Sequence, residues 1–245
     1  MIPRARIGLA GWSEAVSRQR ASFPANGGSG LSRYAAVFDF VEINASFYRS
    51  FPAATYAKWA AETPSGFRFS VKMPRLITHF TRLKNPELLA TLFEEVGGLD
   101  EKLAAVLVQL PPSLAFDPAA GAVFFDALRR HYGGAVACEP RHDSWSGKEA
   151  GSLLDAHRVG LVRTGIPQPA KEPGRLPVYV RLHGAPRRYY SAYTAQQLER
   201  LADFVLLNPR RPCFVVFDNT AGGAAVRNAL ELRERLAFAG GRKRL

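Results

Sequence analysis

Cysteine is scarce in this chain of 245 residues: Cys138 and Cys213 lie far apart, each inside an apolar run. That excludes a disulfide scaffold, and the lack of C-x-x-C or zinc-ligand spacing excludes a thiol redox motif. Both read as buried, reduced thiols of a cytosolic protein. No apolar run approaches the roughly 20 residues that a membrane-spanning helix requires. The N-terminus, MIPRARIGLAGW, goes directly into a strand-like pattern, so neither a signal peptide nor a membrane partner is expected. The first strand–helix turn has no G-x-G-x-x-G loop, and no P-loop or G-x-S-x-G elbow occurs, which argues against dinucleotide binding, an NTPase and a serine hydrolase. The pairings H-x-H, H-x-x-x-H and H-E-x-x-H are missing too. Neither a metal nor another cofactor is therefore expected.

What the chain does have is positive charge, with 33 basic against 21 acidic residues and a formal net charge of +12. Such a balance favours anionic partners, either nucleic acid or phosphorylated metabolites. The basic clusters are short, however: Arg187-Arg188, Arg210-Arg211 and a tail at Arg242-Lys243-Arg244. They fit solvated helix faces as readily as a binding surface.

Strand-like and helix-like patterns alternate throughout. Strands are expected over 6–12, 39–47, 67–74, 105–110, 135–141, 160–164, 178–183 and 213–218. Helices are expected near 31–38, 53–62, 86–96, 118–132, 148–158, 194–207 and 223–238. Pro86 suits a first helical position, and Thr194 suits an N-cap. The helix after Thr194 carries Leu198, Leu201, Ala202 and Val205 at i, i+3, i+4 and i+7, an apolar stripe. Eight strands, each followed by a helix or a suitable loop, predict a single (β/α)8 TIM-like barrel over residues 1–240, followed by a basic tail, 241–245.

In that fold, side chains two apart at a strand's carboxyl end both face the barrel mouth. The strand ends carry Glu42 and Asn44, Lys72, Gln109, Glu139 and Arg141, Arg181 and His183, and Asp218. Ionisable groups so placed are costly unless paired. Their repetition at one end of many strands points to a site, while three acids against three bases also suit an internal salt-bridge network. Gly184 and the segment Asn219 to Gly223 suggest an anion cradle near Arg181. Their glycines equally suit a tight turn. His79 and His183 are the histidines best placed for proton transfer. His142 has the wrong parity to point inward unless its strand has already ended, so Glu139 ranks before it. Trp12, Trp145, Phe47, Tyr48, Tyr189 and Tyr190 are positioned to wall a pocket, and Trp59 reads as core.

The motifs GLAGW (8–12), VEINASFYR (41–49), VKMPRLITH (71–79), QLPPS (109–113), EPRHDSW (139–145), RLHG (181–184) and FDNTAGGAAVRNA (217–229), in this order, resemble the YecE-like proteins. The resemblance covers nearly the whole chain. It implies a (β/α)8 barrel of bacterial or archaeal type, cytosolic, with no established reaction. Residues that match the pattern are Glu42, Asn44, Tyr48, Lys72, His79, Gln109, Glu139, Arg141, His142, Trp145, Arg181, His183, Asn219 and Asn228. Leu9 and Ser46 stand where the family usually has Thr. The last strand ends in Phe217-Asp218-Asn219-Thr220 instead of Phe-Asn-Asn-Asp, so Asp218 takes no role from the resemblance.

Three functions follow as expectations. The first is an enzyme that binds a small phosphorylated or carboxylated substrate and works by metal-independent acid–base chemistry. Glu139, Glu42, His183, His79 and Lys72 would supply the acid–base groups. Arg141, Arg181, Asn44, Tyr48, Gln109, His142, Trp145, Asn219, Gly222 and Asn228 would hold the substrate. The second is a metal-dependent, endonuclease-like phosphodiesterase. The third is a nucleic-acid-binding module without catalysis.

Overall fold

The computed structural model describes residues 5–25, 28–172 and 174–242. The end of the expected basic tail, 243–245, lies outside the described residues. In chain order the elements are β1 (Ala5–Ala10), α1 (Ser13–Arg18), α2 (Gly30–Ala35), β2 (Phe40–Ile43), α3 (Ala45–Tyr48), α4 (Ala53–Ala61), β3 (Arg68–Lys72), α5 (Leu88–Val96) and β4 (Leu103–Gln109). They continue with α6 (Pro118–His131), β5 (Ala135–Glu139), α7 (Lys148–Ala156), β6 (Val159–Leu161), β7 (Arg163–Thr164), β8 (Val178–Leu182), α8 (Ala195–Leu207), β9 (Cys213–Phe217) and α9 (Ala224–Arg242).

The strands form one sheet in the order β6-β5-β4-β3-β2-β1-β9-β8-β7, and the pairings within it are parallel. Only Val162 separates β6 from β7, so the sixth expected strand is interrupted, its first half pairing with β5 and its second with β8. With those halves counted as one, the described residues form eight parallel strands, each followed by a helix except the sixth, which a loop over 165–177 joins to β8. This is a TIM-like α/β barrel fold, as the sequence predicts.

The chain divides into two compact units: residues 1–42 with 162–245, and residues 43–161. In the first unit, β1 lies between β2 and β9, and β8 between β9 and β7. Every residue of β8 and β9 is buried, which explains their near-continuous apolar runs. Gly8 lies where the backbone of Phe40 passes close by: a Cβ there would stand 2.0 Å from the Phe40 carbonyl oxygen. Tyr34 locks the same place, its hydroxyl accepting from the Leu9 N–H at 3.0 Å and donating to the Phe40 carbonyl at 2.9 Å. α8 buries Leu198, Leu201, Ala202, Phe204 and Val205, and each Leu, Phe and Val among them contributes about 1.5–3 kcal/mol. Thr194 caps it in a reciprocal box with Gln197.

In the second unit, β4 pairs with β3 and β5. The sequence reading extends β2 to Phe47, but the strand ends at Ile43 and α3 follows at once. Ser46 ties that turn down by donating to the carbonyls of Ile43 (2.8 Å) and Lys72 (2.7 Å). Pro86 precedes α5 rather than opening it. Its carbonyl accepts from the Leu89 N–H, in a turn that leads into the helix. Trp59 is half-buried, its ring edge against Phe51 and Tyr56, and Tyr56 is the residue of α4 that enters the core.

Candidate functional site

The first unit holds a continuous polar chain that runs from within β8 to just beyond its carboxyl end. Tyr179, Arg181 and His183 are two apart on β8 and just beyond it, so they share one face. Glu42, fully buried, accepts from the Tyr179 hydroxyl at 2.8 Å, from Arg181 Nη2 at 2.8 Å and from Arg181 Nε at 3.1 Å. Arg181 Nη2 also donates to Asp218 Oδ2 at 3.2 Å. The same Asp218 oxygen lies 2.8 Å from His183 Nδ1. A carboxylate only accepts, so the Nδ1 proton belongs to His183 and points at Asp218.

This chain of contacts sorts the residues by what each can do. With three donors on its carboxylate and no solvent exposure, Glu42 anchors Arg181 rather than presenting a base. Arg181, at 1% exposure, is held by two carboxylates of its own unit. Asp218 orients His183, and proton exchange with a substrate would then pass through Nε2. That gives Asp218 a part which the resemblance withholds.

Beyond His183 the chain turns at Gly184, whose φ is +87° and where a Cβ would meet the Ser191 carbonyl oxygen at 2.9 Å. The Gly184 N–H donates to the Tyr193 hydroxyl at 2.9 Å, and the Tyr189 N–H donates to the His183 carbonyl. The loop bends back over the imidazole, with the Tyr189 ring edge-on to His183 at 5.9 Å. Arg188 stacks on that same ring at 5.0 Å, and Arg187 stacks on Tyr190 at 3.9 Å. Both tyrosines are exposed, at 42% and 47%.

Asn219 and Asn228 brace this loop from below. Asn228 receives the Tyr193 N–H and donates to its carbonyl, and Asn219 donates to Asn228 and to the Ser191 carbonyl. Asn219 Oδ1 is buried with no hydrogen-bond partner among the described residues. A lone acceptor there suits a donor, not the oxygen of an anion. The N–H groups of Ala221, Gly223 and Ala225 already donate to Tyr189, Thr220 and Asn219, and Gln19 covers Gly223. The turn at Gly222 is thus tied internally.

In the second unit, Glu139 (1% exposed) accepts from Arg141 Nη2, so this expected base and this expected clamp neutralise each other. Arg141 lies outside β5, which ends at Glu139. His142 therefore follows the strand, and its Nδ1 accepts from the Ser144 N–H at 3.2 Å, capping a short 3-10 turn. Trp145 is buried, its indole N–H donating to the Leu114 carbonyl at 3.0 Å and its ring against Phe116. Packing, not a pocket wall, is its place. Gln109 pairs in register with Glu139 and is half-buried. Asn44 follows β2, and its Oδ1 is buried with no partner among the described residues.

Lys72, Phe47 and His79 form a separate group in this unit. The Lys72 ammonium sits 3.9 Å above the Phe47 ring, and His79 meets that ring edge-on at 4.9 Å. His79 Nδ1 lies 2.8 Å from the Thr78 hydroxyl, on a π-helical turn, Leu76–Phe80. Burial, and then the positive charges of Lys72 and Arg75, push the His79 pKa below its ordinary value. Tyr48 lies close by at 65% exposure.

The residues overlooked by sequence reasoning are Tyr179 and Tyr193. Tyr179 shares the parity of Arg181 and His183 and was legible from that alone. Tyr193 acts across a loop whose path no sequence pattern discloses. Among the described residues, no three of His, Cys, Asp or Glu gather in a way that could hold a metal ion.

The family model for DUF72, proteins of unknown function, matches residues 6–244. The chain belongs to the DUF72 family. This is the YecE-like group that its strand-end motifs resemble. UPF0759 protein YunF of Bacillus subtilis strain 168 is 28% identical over 272 residues, covering 94% of each chain. A DUF72 protein of Thermotoga maritima superposes with a TM-score of 0.76 at 27% identity, covering 95% of this chain and 99% of that one. One from Enterococcus faecalis V583 gives 0.76 at 22% identity, covering 95% of each, a likeness of fold alone. No described helix is long and apolar enough to cross a membrane.

Proposed function

We propose that this DUF72 protein is an acid–base enzyme acting on a small phosphorylated or carboxylated substrate, with His183 as the proton-exchanging group. The observation that carries the reading is the His183–Asp218 contact at 2.8 Å, itself anchored through Arg181 to the buried Glu42. An imidazole held by a carboxylate at Nδ1 is fixed in tautomer and orientation, and Nε2 serves the substrate. Arg188 and Arg187 take the anion-binding role expected of Arg181 and Arg141, because those two are spoken for by buried carboxylates. Tyr189, touching both His183 and Arg188, would place the substrate between the charge that binds it and the group that transfers its proton.

The test is a thermal-shift screen of phosphorylated and carboxylated metabolites. Each hit is then followed by NMR for exchange of its carbon-bound protons in deuterium oxide. Exchange should be lost in His183→Gln with binding retained, and binding should weaken about tenfold in Arg188→Ala, the loss of one charge-assisted contact. Exchange that survives His183→Gln, or a panel without a single hit, contradicts the reading.

A second reading has its own support. Two exposed tyrosines, each with a guanidinium stacked on it, also suit a single-stranded nucleic acid, whose bases stack and whose phosphates pair with arginine. Affinity for an oligonucleotide that falls steeply with salt and with Tyr189→Ala would favour it. Salt-insensitive or absent binding excludes it.

A further inference from the structure

The second unit contains a cavity of about 340 Å³, within the range of small-molecule sites. It opens between the end of α3, the π-helical turn Leu76–Phe80 and α5. Ile77 and Leu92 form buried apolar lining, while Tyr48, Leu76 and Phe80 stand at its edge with exposures of 65%, 48% and 65%. Large apolar side chains are not left this open without cost unless something covers them. The Arg75 guanidinium lies 5.6 Å from the Tyr48 ring centre and 5.3 Å from that of Phe80, so one cation bridges the two exposed rings. Arg49 adds a second positive charge to the lining. Against these stands one carboxylate, Glu95, which accepts from the Ser50 hydroxyl. The lining is therefore apolar with a net charge of one positive unit.

We infer that this cavity is a binding site for a flat aromatic molecule carrying a single anionic group, such as an arene carboxylate, sulfonate or phosphate. The rings of Tyr48 and Phe80 receive the ligand's ring, and Arg75 receives its charge. The volume admits a small aromatic molecule. None of the residues of the His183 site takes part, so this inference stands apart from the proposed function. Phe47 also lines the cavity, and its ring carries Lys72 and His79, so a bound molecule would bear on both groups.

The test uses two fluorescent probes with the same ring type. Anilinonaphthalenesulfonate carries the anion, and phenylnaphthylamine lacks it. The folded protein should bind one molecule of each per chain, saturably. Arg75→Gln should weaken anilinonaphthalenesulfonate about tenfold and leave phenylnaphthylamine within about twofold, since tenfold corresponds to one such contact. Thr91→Trp, at an exposed position of α5 in the lining, should block both probes. Circular dichroism verifies the fold of each variant. Should Thr91→Trp fail to fold, Tyr48→Ser replaces it, with a loss of at least about fivefold expected for both probes. Binding that ignores Thr91→Trp, or an Arg75→Gln loss equal for the two probes, overturns the assignment, as does the lack of saturable binding to the folded protein.

Discussion

Glu42 is a fully buried carboxylate whose two oxygens take three hydrogen bonds, and its charge is offset by an arginine equally hidden. Breaking a buried ion pair costs about 3–5 kcal/mol, and here Asp218, 3.2 Å from Arg181 Nη2, remains as a second carboxylate beside the arginine. Glu42→Gln should therefore destabilise the protein towards the lower end of that range in denaturant melts, and Tyr179→Phe by about 1.5–3 kcal/mol, the loss of one hydrogen bond to a charged group. His79 makes a prediction of a different kind. Its pKa is lowered in the folded chain, so below the ordinary histidine value the unfolded chain binds a proton that the folded chain resists. Its contribution is complete above about pH 6.5 and is lost as pH falls through the depressed value. Urea midpoints should drop between pH 7.5 and pH 5, and His79→Gln should flatten that drop. At this scale the sequence told which residues are polar at strand ends, and parity placed Arg181 and His183 together. It did not tell that Glu42 and Glu139 would each be taken up by an arginine of the same unit, because pairing distances depend on where Tyr179, Asp218 and the end of β5 lie.

Whole elements were legible where many residues shared one pattern. The stripe of α8 and its Thr194 cap are read directly from residues 194–205, since both depend on local spacing. α1 and α3 were not, because helices of six and four residues show no full period and gain their stability from packing. The split of the sixth strand into β6 and β7 also left no mark in the sequence. The β1–β2 contact supplies the test at this scale. Gly8→Ala would drive a methyl group into the Phe40 carbonyl and against the Tyr34 hydroxyl, 2.0 Å and 3.1 Å away. Overpacking commonly costs about 1–3 kcal/mol. Here the obstacle is backbone, so a thermal melt should register a loss at or above the upper end of that range. A neutral melt would mean that β1 and β2 separate easily.

Over the whole molecule, the sequence predicted the TIM-like fold and the family from motifs spread across nearly every strand end. It could not predict the division into two units, since no linker or shift in composition marks residues 42–43 or 161–162. Each unit buries one cysteine: Cys213 in the first, its thiol pushed up to about 12 by burial, and Cys138 in the second, raised still further by burial. Neutral, inaccessible thiols do not attack disulfide reagents. Neither should react with Ellman's reagent in native buffer, both should react after unfolding, and their separate rates in mild denaturant should report the opening of each unit. Rapid labelling of either in native buffer would contradict the burial described. The net charge of +12 governs encounter with anions but does not choose among them.

The proposed function requires Asp218 to fix His183 for proton transfer at Nε2. Nitrogen-15 NMR of the imidazole resonances, assigned with His183→Gln, measures this directly. The neutral His183 ring should carry its proton on Nδ1, and Asp218→Asn should disturb that preference. A proton found on Nε2, unaffected by Asp218→Asn, would rule out that role for Asp218.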